Sequence, residues 1–443
     1  MRWRGAGAAA FATALALAGA ASVSSCKSTP SATLAITVGD ELDAFSRAPA
    51  PTTLIVENIG LDGNVAELSR TSLPADEISL GDKGRTDVGA LRISAVDAAG
   101  KKLLKGETLF VQFGALETTT FEVFVQRTGE LARLPRAPIS MDAPQVQVAL
   151  SRYVLAVSGI NNFLYDLLSL KSTAPFPALP RPAKSLATFG SAAIVIDENG
   201  ATVLDLSSGI AKELSAPTGE KFADIAGGLS VQGADASVYV MGGTRPTGGA
   251  SPKVLIVSPA GDIAFGALAA SREGACATWV EGRGVFVYGG AAAPEAAAEI
   301  LVPHTLVGTK LPYPPDPVKG CGATTLDGSH VLVVGGVGSP TDVNGAALAR
   351  VIDLACSANC TPAPWPGPQP LVRADAFTLA ADAALVAGDD ATGASHVFRF
   401  SAGAPPKEIA LKVPRRGARL IALPVKGTAA IVGGAGPIEQ YVE

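Results

Sequence analysis

Residues 331–336 read VLVVGG, four apolar residues followed by a glycine pair. Three of the four are β-branched, which favours a strand, and two glycines then permit a sharp turn. Alone, the stretch fits any buried strand. It recurs, however, as VYVMGG at 238–243, VFVYGG at 285–290 and AAIVGG at 429–434. ALVAGDD (384–390) is a degenerate copy at Gly388, and AAIVIDENG (192–200) and YVLAVSG (153–159) are weaker ones. From Gly242 the spacings are 47, 46, 53 and 45 residues. Such a period is the mark of an array or a ring of repeated sheets.

The runs do not alternate polar with apolar, as a half-exposed strand would. A strand covered on both faces loses that alternation. Each copy also keeps one internal order. A basic residue and small residues precede the run; a further strand follows it (KVLIVS 253–258, EILVPH 299–304, ARVIDL 349–354, HVFRFS 396–401). A short element near prolines closes the copy, as in KLPYPP (310–315) and APWPGP (363–368). Four strands per copy make one blade of a β-propeller. The last copy stops at IEQYVE (438–443), after its third strand. ELARLP (130–135) resembles the fourth strands KELSAP (212–217) and KLPYPP, so it is expected to complete that blade as a clasp. This gives seven blades, or six if 192–200 is not a copy.

The stretch running from VLVVGG to the next copy resembles a kelch repeat. Gly335 and Gly336 match the double glycine, Trp365 the tryptophan, and Arg373 the arginine before the next blade. The usual tyrosine is replaced near Ile352 and Asp353, and other copies lose the tryptophan. The resemblance covers 128–443 and extends to propellers of the galactose-oxidase type. It implies a kelch-like propeller there; the tyrosines and histidines of a galactose-oxidase copper site are not matched.

Residues 31–127 read differently. TLAITV (33–38), ALRISAV (90–96), LFVQF (109–113) and FEVFVQ (121–126) are short, mostly alternating strands, with a turn at DAAGKK (97–102). Size and pattern fit a small antiparallel β-sandwich, immunoglobulin- or fibronectin-III-like. The whole chain is therefore expected to be all-β.

The chain opens with Arg2 and Arg4, an apolar stretch and small residues, which is a secretory leader. Val23-Ser24-Ser25-Cys26 resembles the lipobox of bacterial lipoproteins. That resemblance implies a leader over 1–25, lipid attachment at Cys26 and a tether over 26–30. Lys27 stands where an Asp tends to hold such proteins at the inner membrane, which points to the outer membrane.

Net charge is −5 for the whole chain, with no basic cluster, so no nucleic-acid partner is expected. Aromatic residues make up 5%, too few for a long sugar-stacking groove. Past the leader, four cysteines remain, and export favours disulfides. Cys276 and Cys321 hold matching places in consecutive copies, which pairs them and leaves Cys356 with Cys360; otherwise all four are buried thiols. The spacing is not that of a zinc site, and no metal or cofactor is expected.

Basic residues recur before the runs: Arg136, Arg181, Lys221, Arg272, Lys319, Arg373 and Arg415. Of these, Arg181, Arg272, Lys319, Arg373 and Arg415 are candidates to hold an anionic ligand at the channel. The alternative is that each serves the repeat by bonding a neighbouring blade. Asp389 and Asp390 replace the second glycine and its neighbour in the sixth copy. No nucleophile elbow or phosphate-binding loop occurs, so no catalytic residue is named. The expected role is binding of a protein or cell-envelope component by a membrane-anchored scaffold. The competing expectation is a propeller hydrolase, lyase or oxidoreductase acting on a small anionic or carbohydrate ligand.

Overall fold

The computed structural model describes residues 33–74, 87–113, 120–137, 141–173, 176–303, 305–340, 342–343, 346–365, 369–380, 382–402 and 404–443. The leader and Cys26 lie outside these residues. The chain divides into two compact units, Met1–Thr128 and Gly129–Glu443.

In the first unit the strands are β1 (Thr33–Thr37), β2 (Thr53–Gly60), β3 (Val65–Ser72), β4 (Val88–Val96), β5 (Lys102–Glu107), β6 (Val111–Gln112), β7 (Thr120–Phe124) and β8 (Gln126–Arg127). One sheet has the order β3-β2-β4-β5-β8, with β6 also on β4. Leu54, Val56, Ile93 and Leu104 supply its most buried side chains. The second sheet is the pair β1–β7, and it is parallel, whereas the sequence pattern led us to expect antiparallel strands. Alternation reports which face is buried but is blind to strand direction, and parallel neighbours need a long connection that leaves no turn signature. β2 and β3 were not foreseen from the sequence. Their pairing shifts register between Val56 and Glu57, which breaks the alternation a reader would look for.

The second unit contains, among the described residues, seven four-stranded sheets. Their first strands are Gln145–Ala149, Ser185–Phe189, Leu229–Gln232, Cys276–Val280, Gly322–Thr325, Arg373–Ala380 and Arg419–Ala422. Neighbouring strands within each sheet are antiparallel. Each first strand packs against the first strand of the next sheet, and Arg419–Ala422 packs back against Gln145–Ala149. The sheets therefore close a ring around a common axis, which is a β-propeller. The last sheet is completed by β9 (Leu131–Arg133), antiparallel to Glu439–Val442. The expected clasp is present.

The apolar runs are the second strands, and they are buried along their length. Alternate residues serve opposite neighbours. Val331 and Val333 join the core shared with Phe286 and Tyr288 of the preceding sheet. Leu332 and Val334 join Ala384 and Val386 of the following one. Tyr239 and Met241 likewise face one interface while Val238 and Val240 face the other. Burying each such side chain stabilises by about 1.5–3 kcal/mol, and only a flanked sheet can bury both sets.

The glycine pair ends the run because the chain must turn under its neighbour. Gly289 and Gly290 have φ of 78° and 69°. A Cβ on Gly289 would sit 2.4 Å from the Val318 carbonyl oxygen, and one on Gly290 would sit 2.6 Å from that of Glu273. No other residue fits either place. Cys276 is bonded to Cys321 across adjacent sheets, and Cys356 to Cys360 within one loop.

Candidate functional site at the central channel

The first strands enclose a cavity of about 460 Å³ at the axis. Glycine and alanine make up nearly half of its lining, where the strands crowd together. A Cβ on Gly322 would meet the Ala374 carbonyl oxygen at 2.9 Å. Polarity enters from Gln145, Gln147, Ser230, Gln232, Arg373, Asp375 and Arg419. Gln147 donates from Nε2 to Ser230 Oγ at 2.6 Å.

Arg373, Asp375 and Arg419 form the charged sector. Arg373 donates from Nε to Asp389 Oδ2 at 2.9 Å and from Nη1 to Asp375 Oδ2 at 3.2 Å. Its Nη2 also bonds the Ala418 carbonyl. Arg419 Nη2 lies 3.0 Å from the other oxygen of Asp375. The Leu420 amide donates to Asp375 Oδ2 at 3.1 Å. Asp389 in turn accepts the Ser395 hydroxyl at 2.6 Å and the Gly417 amide at 3.1 Å. Burial by itself would push the Arg373 guanidinium down, but the carboxylates of Asp375 and Asp389 more than offset it and raise its pKa. The cation is fixed in its charged state, which suits electrostatic recognition and not proton transfer.

The other candidate cations are placed elsewhere. Arg272 and Arg415 have no exposed side-chain surface. Arg272 pairs with Glu299 and donates to the carbonyls of Gly289, Ala297 and Ala296. Arg415 pairs with Glu439 and donates to those of Gly433 and Pro437. Both arginines thus anchor the turn after a second strand to the third strand of the same sheet. Arg181 bridges Asp197 at 2.8 Å and Glu213 at 2.9 Å. Lys319 reaches Glu273 at 2.6 Å and is half exposed. Arg136 donates to the Leu170 carbonyl, and Lys221 precedes the short helix Phe222–Ile225. Of the five candidates named for the channel, Arg373 alone is on the wall of this cavity.

Asp389 and Asp390 part company. Asp389 is buried against Arg373, as above. Asp390 organises a surface turn by accepting the Thr392 hydroxyl and the amides of Thr392 and Ala394. The Thr392 hydroxyl does most to hold its carboxyl down to about 2. Asp375 and Arg419 were missed by the sequence reading. Each follows the basic residue of its copy within a few positions, in RAD (373–375) and RRGAR (415–419), where that first basic residue draws the eye.

No protein family matches the chain, and no curated protein does. Among solved structures, the chain is similar to the Pan2 WD40 domain of Neurospora crassa, at 10% identity and a TM-score of 0.45 over 71% of this chain and 96% of that one. It is also similar to a chain of the mitotic checkpoint complex, at 9% identity and a TM-score of 0.46 over 71% of this chain and 95% of that one. The strand pairing described above is what assigns the propeller.

Proposed function

We propose that this chain is an exported, lipid-anchored binding protein of the bacterial cell envelope, attached through Cys26 and facing its partner with a seven-bladed propeller of kelch type. The first unit, read as a β-sandwich, lies between the anchor and the propeller in chain order. Support for the kelch assignment comes from the glycine pairs and from the arginines that bond the first glycine's carbonyl in two sheets. The outer membrane is the proposed location, on the residue after Cys26.

The observation that carries a binding role is the Arg373–Asp375–Arg419 sector. It is a preformed array on a rigid wall, with its charges already paired and oriented. Complementary partners gain specificity from such an array without reorganising it. The acylated full-length protein, used as bait in solubilised membranes, should capture a protein or envelope component. Reversing one charge with Arg419→Glu should abolish that capture while leaving the fold intact by circular dichroism. Equal capture by both forms would refute a role for this sector.

A second reading is favoured by size. A cavity of about 460 Å³ is within the range that small-molecule sites occupy, about 300–1,000 Å³. It would hold a small anionic or carbohydrate ligand, as a receptor or as an enzyme. Native mass spectrometry of the purified protein separates the readings: a bound metabolite lost in Arg419→Glu supports the second, and an unliganded mass supports the first.

A further inference from the structure

We infer that one end of the first unit rests on the surface of a lipid bilayer, the same bilayer that holds the acyl anchor. Four large apolar side chains stand out at that end: Leu61 is 72% exposed, Phe110 51%, Val65 49% and Val88 40%. The strand register brings them together. Ile59 pairs with Val65, and Gly60 with Gly89, so Leu61 at the hairpin tip is beside both Val65 and Val88. Gly89 also pairs with Val111, which puts Phe110 at the same level. Single exposed apolar residues are ordinary, but four at one end of a small sheet are not.

The position of the chain's N-terminal side names the occupant. β7 leads into β8, which runs antiparallel to β5 with Lys105 opposite Gln126. Residues before Gln126 therefore run back along β5 toward β6, and the Phe124 backbone lies against Gly106. Thr120 is thus at the apolar end, and Thr33 is paired with it. Cys26 precedes Thr33 by seven residues. At roughly 3.3–3.6 Å per residue, the connecting chain spans at most about 25 Å. An acyl group on Cys26 would hold the apolar end within that distance of the membrane. A second weak contact on a tethered molecule is strengthened by its high effective concentration. The hairpin carboxylate, Asp62, accepts hydrogen bonds from the Asn64 amide and side chain, and its charge disfavours an anionic surface and deep insertion, so the tip suits a zwitterionic one.

This inference rests on the lipid-anchor reading, and the test keeps the two apart. Acylated full-length Leu61→Trp protein is reconstituted into phosphatidylcholine vesicles with brominated acyl chains, with its intact mass checked for acylation at Cys26. Trp279 and Trp365 belong to the second unit and give the background in the wild-type protein. The added emission should be quenched, and the quenching lost when Val88→Asp and Phe110→Asp are introduced. Phe110→Trp should report the same and guards against a fault in one variant. An acylated protein that floats with vesicles but shows no quenching overturns the docking and leaves the anchor standing. A mass without acylation overturns both. A dimer in sedimentation that Leu61→Asp converts to monomer would assign the face to a second copy and also overturn the proposal.

Discussion

Arg350 stands on the fifth sheet of the propeller at the register position that Glu299 holds on the fourth. Glu299 pairs with Val287, two residues before Gly289, and Arg350 pairs with Val333, two before Gly335. Glu439 takes the same place on the last sheet, opposite Ile431. The polarity of the ion pair is reversed in the fifth sheet: the acid, Asp316, comes from the incoming chain, 3.4 Å from Arg350. The two arrangements are not equally satisfied. Arg272 and Glu299 bond each other and surrounding backbone, whereas Nε and Nη2 of Arg350 have no hydrogen-bond partner among the described residues. Glu299→Ala strands a buried guanidinium and should cost about 3–5 kcal/mol. Arg350→Met leaves Asp316 with the Tyr288 hydroxyl and the Val318 amide and should cost about 1–3 kcal/mol. Urea denaturation of the two variants gives the ranking directly.

The Cys276–Cys321 bond closes a segment with a sequence separation of 45 and ties two sheets together. On chain entropy alone it stabilises the second unit by about 4 kcal/mol, against about 2 kcal/mol for the short Cys356–Cys360 loop. Replacing Cys276 and Cys321 by Ser should lower the melting temperature more than replacing the other pair. Calorimetry without reductant makes the comparison.

Closure by β9 is expected to govern the stability of the whole ring. Leu131 is 1% exposed, pairs with Tyr441 and packs with Leu385, Leu420 and Ile431. Leu131→Ala should cost about 2–5 kcal/mol. Ile210→Ala, at a site 65% exposed, should stay within about 0.5 kcal/mol and serves as the control.

Acid sensitivity should localise partly to two surface turns. Hydrogen bonds, led by the Thr392 hydroxyl at Asp390 and the Ser329 amide at Asp327, hold both carboxyls down to about 2 from 3.8. Their contribution is complete above the ordinary value and disappears as pH falls from about 4 toward 2. Asp390→Asn and Asp327→Asn should therefore flatten the decline in unfolding free energy across that window and leave the pH 5–8 region parallel to wild type.

Asp375 is shared by two arginines, so Asp375→Asn should loosen both. A loss of about 1–3 kcal/mol is expected, with weakened partner capture even where the fold survives. Capture measured at a temperature where the variant is fully folded separates the two effects.

Much of this architecture could be read from VLVVGG and its copies. A doubly covered strand must be apolar on both faces, a turn beneath a neighbour must be glycine, and equal spacing implies equal units. The same logic paired Cys276 with Cys321 and found the clasp in ELARLP. Side-chain direction was the part that spacing could not supply. Arg272 and Arg373 hold similar places in their copies, yet one turns inward to Glu299, 27 residues later, and the other lines the axis. The difference is set by what the third strand offers, a glutamate in one sheet and Phe398 beside His396 in the other. The parallel pairing of Thr33–Thr37 was hidden for a similar reason, since its partner lies far along the chain.

The clasp also sets an order of events during synthesis. Leu131–Arg133 is made long before Glu439–Val442, and the seventh sheet needs both. Until Glu439–Val442 is made, Leu131 has no strand to pair with and Thr428–Val432 keeps an open edge. A chain lacking Glu439–Val442 would keep an unpaired strand edge in its seventh sheet, which is a template for aggregation. The four residues Glu439–Val442 therefore join the two distant ends of the propeller segment into one sheet.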